Sequence, residues 1–359
     1  MYYALIMAGG VGTRLWPLSR RDRPKQSLKL VGERTMFEHA VDRIAPLFQP
    51  EQIFVVTGAE HVASLMAQAP ELPADNFIVE PEGRGTAPAI GLGAIHLRRQ
   101  APEAIMAVLT ADHFITAVPR FRRVLAAAAH VAKEGHLVTL GITPSSPSTG
   151  YGYIKQGESL STTVDDFAVF RAERFTEKPS PETALHMVES GEYSWNSGMF
   201  IWRVGRILEE FQRQMPEFYV QLAQVESTLG TPGYEPTLSR VWPQVARQTI
   251  DYGVMEEAGD VVVIPVDIGW SDVGSWASLL ELLPVNAEGN IIVGPHVGMD
   301  TRDTLVFSRN GKRLVATIGL EGMVIVDTED ALLVCTRERE QDVRALVREL
   351  EAQDKTDYL

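Results

Sequence analysis

Residues 5–26 read LIMAGGVGTRLWPLSRRDRPKQ, and this stretch decides the fold. An apolar run over residues 3–7 predicts a short buried strand. It is followed at once by three glycines, which are Gly9, Gly10 and Gly12. Glycines let a backbone approach a ligand closely and turn its N–H groups towards it, and such an array binds anions. Arg14 and Lys25 then add a planar fork and a point charge that suit phosphate oxygens. The stretch therefore predicts a loop that binds a nucleoside triphosphate at the start of an α/β domain.

Two better-known glycine-rich loops do not fit this stretch. A Walker A loop ends in Gly-Lys followed by Ser or Thr, and that string is absent from the sequence. A dinucleotide fingerprint has the spacing G-x-G-x-x-G, whereas the run from Gly10 places Leu15 where the third glycine belongs. The remaining alternative is a tight turn that binds nothing, but such a turn has no need of an arginine and a Pro24-Lys25 pair just beyond it.

The composition is that of a folded globular protein, with 45% hydrophobic and 22% charged residues among 359. The net charge of −14 and the lack of a long basic run argue against nucleic acid as a partner. The sequence has no run of about eighteen apolar residues and no signal-peptide pattern, so we expect neither a membrane span nor a leader. Cys335 is the only cysteine, which leaves no intrachain disulfide and fits a reducing cytoplasm.

The first part of the chain alternates strands and helices. Short apolar runs predict buried strands over residues 53–56, 77–79, 105–109 and 137–140. Helical patterns occur over residues 36–44, 87–97 and 123–132. This alternation predicts a Rossmann-like α/β fold with a mostly parallel sheet and helices on both faces. Ligands bind at the carboxyl ends of the strands in such sheets, so we expect the segments at Gly9, Glu80 and Asp112 to share one crevice.

Later segments show sharper helix signals and then a change to β structure. Ser180 and Pro181 predict a helix N-terminus, and a helical stretch over residues 206–229 should break near Pro216. After a short helix over residues 277–283, β-like runs appear at residues 290–293, 304–307, 314–318, 323–326 and 332–334. A closing helix is expected over residues 340–353. We therefore predict two domains, a large α/β domain over residues 1–284 and a small β-rich domain over residues 285–359.

Several motifs together resemble one enzyme family. The string A-G-G-x-G-T-R-L with a later Pro-Lys resembles the sugar-1-phosphate nucleotidylyltransferases, and residues 9–26 are most similar to the mannose-1-phosphate guanylyltransferases. Family-like motifs recur at residues 80–89, 110–113, 175–179, 195–200 and 267–276. The resemblance implies a nucleotide-diphospho-sugar transferase fold, with a C-terminal domain that resembles a short left-handed β-helix. It also implies a cytoplasmic homodimer, in which residues 1–284 form the catalytic domain.

The resemblance implies roles for residues that would bind the nucleotide, catalyse the reaction or hold a metal. The nucleotide would contact Ala8, Gly9, Gly10, Gly12, Thr13, Glu80, Gly85 and Thr86. Arg14 and Lys25 would be the catalytic cations. Asp112 and Asp272 would hold a Mg²⁺ cofactor, although spacing alone leaves both equally open to capping a nearby helix. Asp267 is a weaker candidate, and His113 is expected to be structural because no His or Cys lies at metal-binding spacing from it.

Glu80 is the residue that points to a particular base. Guanine offers two donors on its Watson–Crick edge, and an ionised carboxylate can accept from both. Uracil and thymine would instead place oxygens against it. Relatives that use those bases commonly have Gln at this position, so Glu80 favours GTP, while an ordinary surface glutamate remains the alternative.

The sugar phosphate is assigned to a second set of residues. The resemblance places mannose 1-phosphate against Gly152, Glu177, Lys178 and Asn196, which lie in or near the motifs F-x-E-K-P and W-N-S-G-M-F. We therefore expect GTP and mannose 1-phosphate to give GDP-mannose and pyrophosphate. The alternatives are another sugar 1-phosphate, a nucleotide-sugar-dependent glycosyltransferase, or a sensor without activity. The glycosyltransferase requires a D-x-D motif, but Asp112 lies between Ala111 and His113. The family's longer form carries an isomerase domain, and we expect no isomerase activity from this chain.

Overall fold

The computed structural model describes residues 1–10, 12–160, 164–309 and 313–359. Its contacts group these residues into two compact units. Unit 1 comprises Met1–Gly9, Ala40–Ala111 and Ile115–Trp270. Unit 2 comprises Gly10–His39, Asp112–Phe114 and Ser271–Leu359. The domain boundary that we place between residues 284 and 285 stays a prediction.

The described residues form seventeen strands and ten α-helices. The strands are β1 Tyr2–Ala8, β2 Ile53–Gly58, β3 Phe77–Glu80, β4 Ile105–Thr110, β5 Phe114–Ile115, β6 Leu137–Ile142, β7 Gly152–Ser159, β8 Phe170–Glu177, β9 Tyr193–Arg203, β10 Val261–Val266, β11 Trp270–Ser271, β12 Ile291–Val293, β13 His296–Met299, β14 Leu305–Phe307, β15 Val315–Ile318, β16 Met323–Asp327 and β17 Leu332–Thr336. The helices are α1 Met36–Ile44, α2 Val62–Gln68, α3 Thr86–Gln100, α4 Val118–Lys133, α5 Pro181–Ser190, α6 Val204–Gln214, α7 Pro216–Glu226, α8 Tyr234–Val241, α9 Trp276–Leu280 and α10 Val343–Ala352. Within the described ranges, each helix is too short or too polar to cross a lipid bilayer.

Unit 1 is built on a nine-stranded sheet in the order β3-β2-β1-β4-β9-β6-β10-β8-β7. Strands β3, β2, β1 and β4 are parallel, as are β6 and β10. Strand β9 runs antiparallel between β4 and β6, and β7 and β8 are also antiparallel to their neighbours. The α/β prediction is confirmed, and the sheet is mixed because β9 returns through its centre.

Local signals account for several element ends in unit 1. All but two residues of β1 are buried, as expected for a strand inside a parallel sheet. Helix α5 begins after Ser180, whose hydroxyl accepts from the Thr183 N–H at 3.2 Å, and it ends at Gly191 in the left-handed conformation. Helix α6 ends at Gln214 and α7 starts at Pro216, so the predicted break is confirmed.

Unit 2 contains the β-rich C-terminal module. Strands β12, β14 and β16 pair in parallel as one sheet, with β17 antiparallel at its edge, while β13 and β15 pair in parallel as another. Strands β12 to β16 thus alternate between two sheets, as in a coil of β-helix type. Strand β13 was not predicted from the sequence, because His296 and Gly298 interrupt its apolar pattern.

The core of unit 2 joins the N-terminal loop segment to this module. Leu15 and Trp16 belong to one buried cluster with side chains from the β strands and α10, which include Phe307, Val324, Val326, Leu333, Val343 and Val347. The Trp16 indole donates to the Tyr358 carbonyl at 2.7 Å, and the Trp276 indole donates to the Trp16 carbonyl at 3.2 Å. The position of the loop therefore depends on residues more than 300 places further along the chain.

Candidate active site

The glycine-rich loop ends in a tight turn that needs Gly12. Gly12 has φ +73° and caps the short helix Thr13–Leu15, and its carbonyl accepts from the Ser19 hydroxyl at 2.7 Å. A Cβ atom at Gly12 would lie 2.5 Å from Lys25 Cβ, so only glycine leaves room for that side chain. A Cβ at Gly9 or Gly10 would meet no atom of the described chain within 4 Å, which leaves open space beside the loop. Val11 of the motif lies outside the described residues.

Lys25 connects this loop to both predicted metal-binding residues. Its side chain is buried, and its Nζ lies 2.7 Å from Asp112 Oδ2 and also donates to the Asp272 carbonyl. Burial alone would raise the pKa of Asp112, but the charges of Lys25 and of His113, 4.0 Å away, outweigh it and hold the pKa below its usual value. Asp112 is therefore a carboxylate at neutral pH.

These residues line one cavity of about 330 Å³ within unit 2. Its wall consists of Gly12, Thr13, Arg14, Lys25, Asp112, His113, Asp272, Gly274 and Arg344. Six of the nine are residues that we selected from the sequence for the nucleotide, catalysis or the metal. His113 and Gly274 are further neighbours in those motifs, whereas Arg344 carried no signal in the sequence because it is one cation on a surface helix.

The alternative capping roles of the two aspartates are excluded. Helix α4 is preceded by Ala117 and has no side-chain cap, so Asp112 does not cap it. Helix α9 is capped by Ser275, whose hydroxyl accepts from the Ser278 N–H, so Asp272 does not cap that helix either. Both carboxylates instead line the cavity.

The donor set in the cavity fits Mg²⁺. The described residues contain no group of three or more His, Cys, Asp or Glu side chains that could hold a metal by themselves. Mg²⁺ needs only one or two carboxylates because substrate phosphates and water complete its shell. Asp272 is held in place by the Gly274 N–H, which donates to Oδ1 at 3.1 Å. The next residue, Val273, has φ +45°, a strained conformation for a β-branched residue, and its buried side chain in the unit 2 core maintains it.

Glu80 ends β3 in unit 1 and is almost fully buried. Burial raises its pKa to about 8, against an opposing hydrogen bond from the Arg84 backbone. Within the described ranges, its Oε1 atom is buried without a hydrogen-bond partner. An unsatisfied buried oxygen is costly, so this position is better suited to a ligand that donates hydrogen bonds than to a surface role. At neutral pH the free carboxyl carries a proton, which it must lose to accept from both guanine donors.

Gly85 and Thr86 contact the segment Gln248–Ile250 of the same unit. The Cβ position of Gly85, where φ is +93°, is filled by the Gln248 carbonyl, so the protein's own backbone already requires glycine there. The Thr86 hydroxyl accepts from the Ile250 N–H at 2.8 Å, and Thr86 begins α3. These two residues hold the loop of residues 81–85, which we call the Glu80 loop, against that segment.

The predicted sugar residues lie together in unit 1. The Cβ position of Gly152 is filled by the Glu177 carboxylate, and Glu177 also contacts the Lys178 ammonium. The Lys178 side chain is 64% exposed, and its backbone has φ +45°. The Asn196 side chain accepts from the Gly198 N–H at 3.1 Å and donates to Asp251 Oδ1 at 2.7 Å. Both ends of the Asn196 amide are therefore fixed.

Asp251 contacts the predicted sugar residue Asn196. Burial raises its pKa, and the hydrogen bond from Asn196 opposes this rise. It follows Ile250 directly, so one short segment contacts both the Glu80 loop and Asn196. No spacing in the sequence predicts that Asp251 contacts Asn196. Asp267, our weaker candidate, accepts from the Gly269 N–H at 3.1 Å within a turn.

Comparisons with known proteins show which family this chain resembles over nearly its whole length. Residues 3–288 match the Nucleotidyl transferase family, and residues 294–350 match the MannoseP isomerase/GMP-like beta-helix domain. A mannose-1-phosphate guanylyltransferase of Escherichia coli K12 is 41% identical over 365 residues, which cover 99% of this chain and 75% of that protein. The xanthan biosynthesis protein XanB of Xanthomonas campestris is 39% identical over an alignment that covers 98% of this chain and 74% of XanB. A solved structure described as mannose-1-phosphate geranyltransferase from Thermus thermophilus aligns with a TM-score of 0.87 at 35% identity, over 98% of this chain and 99% of that one.

Proposed function

The chain belongs to the nucleotidyl transferase family, and we propose that it joins GTP and α-D-mannose 1-phosphate to give GDP-mannose and pyrophosphate. The observation that carries the proposal is the cavity of unit 2. A glycine-rich turn, three cations (Arg14, Lys25 and Arg344) and two carboxylates line it together, as a triphosphate with a divalent metal requires. The identity of about 40% over nearly the whole chain to mannose-1-phosphate guanylyltransferases supports the choice of substrates.

The reaction is a displacement at phosphorus. An oxygen of the sugar phosphate attacks the α-phosphorus of GTP and forms a new phosphorus–oxygen bond. The bond from the α-phosphorus to the oxygen that bridges to the β-phosphorus breaks, and its electron pair leaves with pyrophosphate. The attacking oxygen is already ionised, so no strong general base is needed. The protein therefore acts by positioning the two anions and neutralising their charge.

We assign the triphosphate to the glycine-rich loop and its cations. The backbone of Ala8, Gly9, Gly10, Gly12 and Thr13 would donate N–H groups to phosphate oxygens, and the empty space at Gly9 and Gly10 supports this. Arg14 has a guanidinium without a hydrogen-bond partner in the described part of the chain, and it would bind the phosphates directly.

Lys25 and the two aspartates would form the centre of the site. Asp112 and Asp272 would hold Mg²⁺, which when bound offsets the charge of the triphosphate. Lys25 keeps Asp112 ionised and contacts the Asp272 carbonyl, so it fixes both residues relative to the loop. Its ammonium also adds positive charge beside the phosphates.

We assign the base and the sugar to residues of unit 1. Glu80 would accept from the N1 and N2 groups of guanine after losing its proton, and Gly85 and Thr86 would border the base or ribose. Lys178 would bind the phosphate of mannose 1-phosphate, since its ammonium is largely exposed. Glu177 and Asn196 would bind the hexose hydroxyls, and Gly152 leaves room for Glu177. We further propose a cytoplasmic location and a homodimer. Light scattering, which measures the molar mass in solution, would test the homodimer.

The proposal is tested by a grid of nucleoside triphosphates against sugar 1-phosphates, with pyrophosphate release measured with and without Mg²⁺. We expect release from GTP and mannose 1-phosphate to exceed that from every other pair, and to require the metal. Release from a different pair but not from this one would reject the assignment. Conversion of GTP without a sugar phosphate would point to a different class of enzyme.

A further inference from the structure

Arg344 contributes a side chain from the C-terminal helix to the cavity of unit 2. It is the second residue of α10, and α10 packs against the turn Thr13–Leu15. Val343 and Val347 lie one turn apart on α10 and are buried in the same cluster as Leu15 and Trp16. This packing fixes the first turn of α10 beside the glycine-rich loop.

Arg344 differs from several other arginines of unit 2 because it has no ion-pair partner among the described residues. In the described part of unit 2, five other arginines are engaged in ion pairs, namely Arg20 with Asp330, Arg21 with Glu351, Arg309 with Glu33, Arg313 with Asp327 and Arg339 with Asp342. Arg344 and Arg14 line the cavity, yet across the described ranges neither guanidinium forms a hydrogen bond or an ion pair. In a chain with a net charge of −14, two unpaired guanidinium groups at one cavity indicate a site for an anion.

We propose that Arg344 binds the β- and γ-phosphates of GTP and the pyrophosphate that leaves. This inference rests on the proposed function, in which the loop and Arg14 bind the triphosphate. A guanidinium binds two phosphate oxygens at once, and the negative charge that develops on the leaving group is greatest on these phosphates. The sugar phosphate is assigned to Lys178 in unit 1, so the anion in the cavity of unit 2 is the polyphosphate. The C-terminal module thereby supplies a catalytic residue as well as core contacts.

The test compares Arg344→Ala with Arg348→Ala in the reverse reaction, from GDP-mannose and pyrophosphate. Arg348 lies one turn further along α10, is exposed and does not line the cavity, so it is a matched control. Loss of one charge-assisted contact should raise the KM for pyrophosphate about tenfold or more in Arg344→Ala, with the KM for GDP-mannose unchanged. Arg344→Lys should recover part of the loss, and Arg348→Ala should behave like the wild type.

A binding measurement separates this inference from the proposed function. Calorimetric titration with inorganic pyrophosphate needs no turnover, and we expect about tenfold weaker binding to Arg344→Ala than to Arg348→Ala. Equal binding and an unchanged KM for pyrophosphate would overturn the role of Arg344 while leaving the enzyme's activity intact. An equal loss for both substrates together with a lowered Tm would also overturn it, because that pattern indicates a structural role. If the wild type uses another substrate pair, the proposed function fails, and the titration still reports on Arg344.

Discussion

At the scale of single residues, the proposed contact between Glu80 and guanine should couple GTP binding to pH. Its pKa of about 8 in the free protein means that guanine binding must release a proton below that pH. We therefore predict that GTP affinity rises about tenfold for each unit of pH as the pH approaches 8, and then levels off. Calorimetric titration across this range measures it. Burial is the main cause of the raised pKa of Glu80. The titration of Glu80 alone therefore accounts for the predicted pH dependence of GTP binding.

The controls for this prediction are two conservative variants. Glu80→Gln should remove the pH dependence that Glu80 causes and lower the preference for GTP over other nucleotides. Glu71→Gln changes an exposed glutamate nearby in the sequence and should leave the profile as in the wild type. An unchanged nucleotide profile and pH dependence in Glu80→Gln would show that Glu80 does not contact the base.

Arg14 is predicted to act on turnover rather than on sugar binding. It is exposed and unpaired in the described part of the chain, so Arg14→Ala should cost little stability. Removing one preorganised contact to the reacting phosphates should lower kcat roughly a hundredfold. The KM for mannose 1-phosphate should change less than about twofold, since Lys178 is assigned to that phosphate. Steady-state kinetics with each substrate varied in turn gives both numbers, and a raised sugar KM with a normal kcat would contradict the assignment.

The sequence predicts site residues only where they lie in dense motifs. Gly12, Arg14 and Lys25 are close in sequence, and Asp112 follows an apolar strand, so each could be selected and each lines the cavity. Arg344 and Asp251 could not, because the cavity wall that includes Arg344 and the contact of Asp251 with Asn196 form only when distant segments of the chain meet. A cation on an amphipathic helix and an acid in a short loop have the same appearance in sequence whether or not they bind a ligand.

At the scale of elements, the glycine-rich turn allows stability and binding to be separated. Gly12→Ala would place Cβ against Lys25 at a positive φ, so we predict a loss of about 1–3 kcal/mol in the free energy of unfolding. Gly9→Ala meets no atom within 4 Å in the described chain, so it should leave stability unchanged and weaken GTP binding alone. Urea unfolding and GTP titration of both variants measure the two effects. Normal GTP affinity in Gly9→Ala would show that the space beside Gly9 does not hold the nucleotide.

Elements with local signals were predictable, whereas those set by long-range pairing were not. The serine cap of α5 and the proline that begins α7 are local signals, and both predictions are confirmed. Helix α9 ends at Leu280, earlier than its predicted end near Pro284. Strand β9 was visible only as a binding motif, because Asn196, Ser197 and Gly198 interrupt its apolar character. Its antiparallel place between β4 and β6 follows from pairing with strands that are distant in sequence.

At the scale of the whole molecule, the loop segment of unit 2 depends on the C-terminal module. A fragment ending at Pro284 would lose the core partners of Leu15, Trp16 and Trp276. Each large apolar side chain that becomes exposed costs about 1.5–3 kcal/mol, so these three residues together would lose a large share of the roughly 5–15 kcal/mol by which a domain is stable. We predict that this fragment binds no GTP and lacks a cooperative thermal transition for the loop segment.

A shorter deletion is the control for that fragment. Removing residues 353–359 eliminates the hydrogen bond from the Trp16 indole to Tyr358 and the contact of the half-buried Leu359 with the unit 2 core, which together should cost about 1–2 kcal/mol. Calorimetry and GTP titration should therefore place this variant near the wild type. A fragment of residues 1–284 that melts cooperatively and binds GTP normally would instead support an autonomous domain with the boundary that we predicted from sequence.

We propose that the whole molecule moves a guanylyl group from GTP to mannose 1-phosphate. Phosphorus NMR of the reaction mixture with Mg²⁺ tests this most directly, because it identifies every phosphorus-containing product at once. We predict that the α, β and γ signals of GTP and the signal of mannose 1-phosphate are replaced only by those of GDP-mannose and pyrophosphate. Formation of GDP and inorganic phosphate, or no change while another sugar phosphate reacts, would contradict the account.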